Sequence, residues 1–275
     1  MKKLFSLVVA IVTVASALAD PVALPECTIE GTVHVYEGAP RTKQQVKYLV
    51  NEGYVVCFSE ELGIPLYSAY RLSKSATPNE PERYYERPEV FQQDMRVTNC
   101  LHEFDYTGTG YDRGHLAPNK AIRIQYGHLA QLQTFLMTNI VPQLPSLNRG
   151  AWAAIEHKIL EEYSAESKDL WIISGIVPGV EEPKLFGERY VQIPQGYFKI
   201  ILRRTFPRHQ SVQALAMHFP HEPAKGKPTF TYVSVDQIER MTGLDFLWRL
   251  PDEEEEKIER RIRDGEWKLV PLPND

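Results

Sequence analysis

Short apolar runs cut off by glycine or proline constrain this chain most. Runs of that length, recurring with few helical stretches between them, suit a sheet and not a helical bundle. Val33-His34-Val35-Tyr36, Tyr54-Val55-Val56-Cys57-Phe58 and residues 65–72, 170–175, 197–202 and 229–233 all read as strands. Behind Asn148 and Gly150, the residues Trp152, Ile155, Ile159, Leu160 and Tyr163 recur at helical spacing, which predicts a helix over 149–163 with one buried face. Residues 235–242 before Gly243, and 252–264 before Gly265, predict two more. The expected class is therefore α+β, a mostly antiparallel central sheet flanked by helices. Residues 73–96 are polar and punctuated by proline, a long surface excursion. With no internal repeat and no Gly/Ser linker, residues 20–275 are expected to form a single domain.

The first nineteen residues carry Lys2 and Lys3, an apolar run over 4–14, and Ala17-Leu18-Ala19. This is the pattern of a secretory signal peptide. The run is shorter than the ~20 residues needed to span a bilayer, so the mature chain, starting at Asp20, is expected to be exported and extracellular with no membrane contact. Losing two lysines takes the formal charge from -5 to -7. A negative total argues against polyanion binding by the whole surface but leaves room for a local basic patch. The acidic run Asp252-Glu253-Glu254-Glu255-Glu256 reads as a solvated helix start. In an oxidising compartment Cys27, Cys57 and Cys100 allow one disulfide and one leftover thiol. Cys27–Cys57 is the preferred bridge, with Cys100 free or intermolecular; spacing separates this only slightly from the other pairings.

The turn Thr107-Gly108-Thr109-Gly110 delivers the chain into Asp112-Arg113-Gly114-His115, four consecutive residues with the chemistry of a site. Hydrolysis of a phosphodiester needs a base for water and a cation for the developing charge. His115 suits the first, since an imidazole is neutral at physiological pH, and activity should fall below about pH 6. Arg113 suits the second, although it also reads as an ion-pair partner of Asp112. Gly114 removes a side chain where backbone and substrate come close. No His-x-x-x-His, Glu-x-x-His or cysteine cluster is present for a zinc cage. A hard ion such as Mg2+, with Mn2+ as a substitute, needs only one or two oxygen ligands, and Asn148 and Glu156 supply them. Eight residues of straight helix rise about 12 Å, which puts Asn148 in direct contact and Glu156 behind a water. Trp152 starts the apolar stripe and reads as core. The other histidines, 34, 102, 128, 157, 209, 218 and 221, read as structural.

The Asp-Arg-Gly-His segment is followed in order by Thr138 to Gln143, Asn148 to Trp152 with Glu156, a Ser174-Gly175 turn, the segment Ile193-Pro194 to Lys199, and Val235-Asp236-Gln237-Ile238-Glu239 to Gly243-Leu244. From about Tyr67 to Pro251 this series resembles the DNA/RNA non-specific endonucleases of the ββα-metal superfamily. The resemblance implies a ββα-metal catalytic motif and metal-dependent cleavage of DNA and RNA with little sequence specificity. It also implies His115 as general base, Asn148 as the sole direct side-chain ligand of the metal, Glu156 on a water, and Arg113 on phosphate. Asn139 and Gln143 would orient the site and its substrate. The arginine that stabilises the family's transition state corresponds best to Arg83, with Arg87 as runner-up. The stretch around Cys27, Cys57 and residues 65–70 is similar to a secreted animal branch of the family. Some members of that branch have degenerate signatures, so an inactive nucleic-acid-binding relative is the alternative, but this chain keeps the histidine and both asparagines. A homodimer is left open.

Overall fold

The computed structural model describes residues 32–73, 86–204, 212–223, 229–262 and 267–269. Residues 1–19, Cys27 and Arg83 lie outside these, so nothing structural bears on the leader or on that arginine. In chain order the strands are β1 (Lys47–Val50), β2 (Val55–Ser59), β3 (Ile64–Ser73), β4 (Asp112–His115), β5 (Ile140–Gln143), β6 (Asp169–Val177), β7 (Lys184–Phe186), β8 (Arg189–Val191), β9 (Gly196–Arg204), β10 (Val212–Pro220) and β11 (Thr231–Val233). The helices are α1 (Asn119–Tyr126), α2 (His128–Gln133), α3 (Ala153–Lys158), α4 (Ser164–Glu166), α5 (Val235–Thr242) and α6 (Asp252–Glu259).

Seven strands form one sheet in the order β1-β2-β3-β6-β9-β10-β11, antiparallel at every pairing. β6 is buried at every position and β3 and β9 at nearly every one. A sheet covered on both faces needs apolar residues on both, which is why β6 and β9 read as continuous runs, whereas β3 was expected from its aromatic and polar alternation and is covered on both faces all the same. Along β9 the two layers separate. Tyr197 and Lys199 point to β5 and the helix that follows it, through Pro142 and Glu156, whereas Phe198 points to Phe246, just after α5. α5 packs on β6 and β10, and α6 on β10.

Several sequence expectations are corrected. Residues 33–36 form turns and bends; they dock on the sheet through side chains, with Trp171 Nε1 donating to the Val33 carbonyl at 3.1 Å and Tyr36 against the Trp171 ring at 5.0 Å. β1 and β10 were not legible as strands. Ser174-Gly175 is no turn, because both residues lie inside β6. A Cβ on Gly175 would meet the Leu66 carbonyl oxygen at 2.5 Å, so the glycine serves close strand packing. The helix over 149–163 exists but starts irregularly, and α6 stops at Glu259. Cys57 is a free thiol, fully buried in an interior strand, and no disulfide is formed among the described residues; Cys27, its expected partner, lies outside them. Burial pushes the Cys57 thiol up to about 12. Cys100 is likewise free and buried, out of reach of a second chain. No described helix is long and apolar enough to cross a membrane.

Candidate active site

Outside the large sheet, β4 and β5 pair antiparallel in the register Asp112↔Gln143, Arg113↔Pro142, Gly114↔Val141 and His115↔Ile140. The helical run from Leu147 follows at once, completing a ββα unit. Period two sends Arg113 and His115 to one face of the hairpin and Asp112 and Gly114 to the other. A Cβ on Gly114 would fall 2.1 Å from Gln143 Oε1. The space the glycine frees is therefore filled by Gln143, not by substrate.

Asn139 holds the hairpin in place. Its Oδ1 accepts from Ser68 Oγ at 2.8 Å and from the Ala117 amide at 2.9 Å, while Nδ2 donates to the carbonyls of Ala117 and Thr134, both at 3.0 Å. Fully buried and fully bonded, it ties β3 to the segment after His115 and cannot touch a substrate, contrary to expectation. Gln143 is also fully buried, and among the described residues neither of its amide atoms has a partner, so it presents no surface to a substrate in this structure.

Asp112 is a hub. Its Oδ2 accepts from Asn148 Nδ2 at 2.9 Å and from Arg149 Nε at 2.8 Å, and its Oδ1 from the same guanidinium at 2.7 Å. Arg149 foremost, with help from Asn148, holds this carboxyl below its usual range. A carboxylate only accepts, so Asn148 must offer it the amide nitrogen, which leaves Oδ1 as the outward acceptor. Arg113 is not the partner of Asp112. It sits 4.9 Å over the Phe91 ring and 3.9 Å from Glu103, with 41% of its side chain exposed.

The helix breaks where the site needs it. Gly150 has φ -101° and ψ -112°, outside helical values, within a widened turn from Leu147 to Trp152. Regular α-helix begins only at Ala153, so the straight-helix rise between Asn148 and Glu156 does not apply, and both line one cleft of about 430 Å³. Arg87, Arg113, His115, Lys120 and His157 share that cleft. His157, read from sequence as structural, belongs to its wall.

His115 packs against Phe135 at 4.9 Å and Phe91 at 5.5 Å. Its Nε2 is enclosed without a partner, so Nδ1 is the nitrogen open to the cleft. Burial, reinforced by the positive charge of Arg87, lowers its pKa to about 3. Loss of the neutral form near pH 6, as the sequence suggested, is therefore not what this environment dictates.

Lys199 was missed. It is fully buried, 3.0 Å from Ser174 Oγ, 3.4 Å from Glu156 Oε1 and 3.7 Å from the centre of the Trp152 ring. Burial drives it down to about 8 against the pull of Glu156, and drives Glu156 up against the pull of Lys199. Register aligns Ser68, Ser174 and Lys199 on adjacent strands, a polar row across an apolar sheet directly beneath the ββα unit. A lysine in the middle of the run Tyr197-Phe198-Lys199-Ile200-Ile201-Leu202 was the available signal, since an unpaired charge there would be prohibitive.

The model of one protein family, DNA/RNA non-specific endonuclease, matches residues 31–253. The chain belongs to that family. A nuclease of Nostoc sp. is 29% identical over 87% of this chain and 89% of its own length. The mitochondrial nuclease EXOG of Homo sapiens is 27% identical over 81% of this chain and 62% of its own, and mitochondrial endonuclease G of Homo sapiens is 26% identical over 71% and 68%. The fold is similar to that in a crystal structure of the EndoG/EndoGI complex, with TM-score 0.66 and 20% identity over 79% of this chain and 91% of that one. This non-specific endonuclease family member is thus a nuclease.

Proposed function

We propose that this chain is a secreted, metal-dependent endonuclease that hydrolyses phosphodiester bonds in DNA and RNA with little regard to sequence. One observation carries this reading: a neutral, desolvated imidazole, an anchored amide with its oxygen free, a carboxylate and three arginines, Arg87, Arg113 and Arg149, line one cleft at the ββα unit. Oxygen donors alone suit a hard ion such as Mg2+, with Mn2+ as substitute. Asn148 Oδ1 would be its direct protein ligand and Glu156 its partner through water. Such an ion would neutralise charge on the scissile phosphate and the leaving oxygen. His115 Nδ1 takes the proton of the attacking water. Arg113 holds the phosphate, and the transition state is served by Arg83, the better match to the family's arginine, or by Arg87, which lines the cleft. Asp112 fixes Asn148, and Lys199 fixes Glu156. The apolar run over 4–14 supports export, with Asp20 as the first mature residue.

Supercoiled plasmid and total RNA should both be degraded to heterogeneous fragments in magnesium, and a chelator should stop this reversibly. A folded protein that binds nucleic acid but cleaves neither under any divalent ion would mark the inactive relative instead. Secretion is tested by expressing the full chain in animal cells. A protein retained in the cells with residues 1–19 intact would overturn export.

A further inference from the structure

On the opposite side of the sheet from the cleft, α5 and α6 bring three carboxylates together. Asp236 and Glu239 lie three residues apart on α5 and so share a face, and Glu259 is the last residue of α6. One oxygen of each lies within 4.8 Å of the others. Exposed acidic groups often cluster, but Glu259 is not exposed. It retains 5% of its accessible surface, its side chain reaches into the cluster, and its Oε1 is enclosed with no hydrogen-bond partner among the described residues. The charges acting on it, from Glu239, Glu255, Asp236 and Asp245, are all negative. Among the described residues Glu239 finds one donor, the Phe246 amide at 2.8 Å. Glu259 also sits at a helix C-terminus, where the backbone's partial charge is negative too. A buried carboxylate so placed is costly without a cation.

We propose that Asp236, Glu239 and Glu259 form a calcium site that fastens α6 to α5 and thereby to the sheet. Three oxygen donors call for a hard cation. At Ca–O distances of about 2.3–2.6 Å one calcium bridges oxygens up to roughly 4.6–5.2 Å apart, whereas the shorter bonds of magnesium, about 2.0–2.1 Å, span less and that ion holds its waters more firmly. The ion would also offset the repulsion within Asp252–Glu256, which the nuclease chemistry leaves without a role.

The test is calorimetric titration and thermal unfolding of the whole chelator-treated protein with calcium. One site should fill, with Tm rising by roughly 5–10 °C at about a hundredfold excess over Kd, and magnesium should give less than half that shift. Glu259→Gln should melt no lower than the chelated wild type and lose the calcium response. Should that variant not fold, Asp236→Asn should weaken calcium binding about tenfold. Asn148→Ala, on the cleft side, should keep the response. A wild type indifferent to calcium, an unaltered isotherm in Glu259→Gln or Asp236→Asn, or loss of the site in Asn148→Ala would overturn the proposal, and so would magnesium matching calcium.

Discussion

His115 is held neutral by aromatic walls and a neighbouring arginine, so the role of base proposed for it depends on geometry more than on proton affinity. Replacing it with alanine should lower the cleavage rate by about 10²–10⁴-fold with nucleic-acid affinity and Tm nearly unchanged. A variant retaining a tenth of the wild-type rate would remove it from that role. With the pKa lowered to about 3, the base form persists well below pH 6, and the acid limb of kcat/KM should have its midpoint below pH 5. A midpoint near 6.5 would mean the desolvation is relieved when substrate binds. Asn148→Ala should cost about a thousandfold. Glu156→Ala should cost about 10–100-fold, as loss of a group acting through another ligand typically does. Magnesium and manganese titrations at saturating DNA decide between the two. A worse defect at Glu156 would reverse their assignments.

The hairpin and the broken helix are the elements on which the site depends, and Gly114 is their tightest point. Alanine there must displace more than the tip of Gln143, since Cδ lies 2.5 Å and Cγ 2.7 Å from the added carbon. Gly114→Ala should therefore cost about 1–3 kcal/mol in urea unfolding, the usual penalty of overpacking, together with most activity. Gln143→Ala in the same chain should restore both. Failure of the second change to rescue stability would show that the glycine is needed for its backbone and not for space. Gly150 acts differently: its non-helical backbone lies between Asn148 and the regular helix that carries Glu156, and both residues line one cleft.

Across the whole molecule, buried titratable groups set opposite slopes of stability with pH. Glu239 and Glu259 have folded pKa values raised to about 7 and about 9 from 4.5, so between pH 4.5 and 9 the folded chain keeps protons that the unfolded chain has released. Stability contributed by these groups is then lost as pH rises through that window. His34 and His115 are lowered to about 4 and about 3 from 6.5, so the unfolded chain binds protons that the folded chain refuses, and stability falls as pH drops from 6.5 to about 3. In chelator, Tm should peak between about pH 4.5 and 6.5 and decline toward pH 9. Glu259→Gln should flatten the alkaline decline while leaving the acid side unchanged. An alkaline decline of the same steepness in that variant would assign it to other groups.

The linear chain determined the local chemistry and the class of fold. The apolar runs at residues 170–175 and 197–202, bounded by glycine or proline, and the alternation over 65–72 read as strands, and the Asp112 to His115 segment declared itself because no core uses that combination. Tertiary structure alone decided how these meet. β10 and the hairpin strands β4 and β5 carry no propensity stronger than their surroundings, and pairing made them strands. Asn139 and Gln143 have the residue types of a site but became scaffold, since only packing determines whether an amide faces ligand or carbonyl. Lys199 and Glu156 stand forty-three positions apart and met because the register of β6 and β9 placed the lysine under the helix. Likewise the pairing of Asp112 with Arg149 and not Arg113 follows from strand alternation, which turns neighbouring side chains to opposite faces.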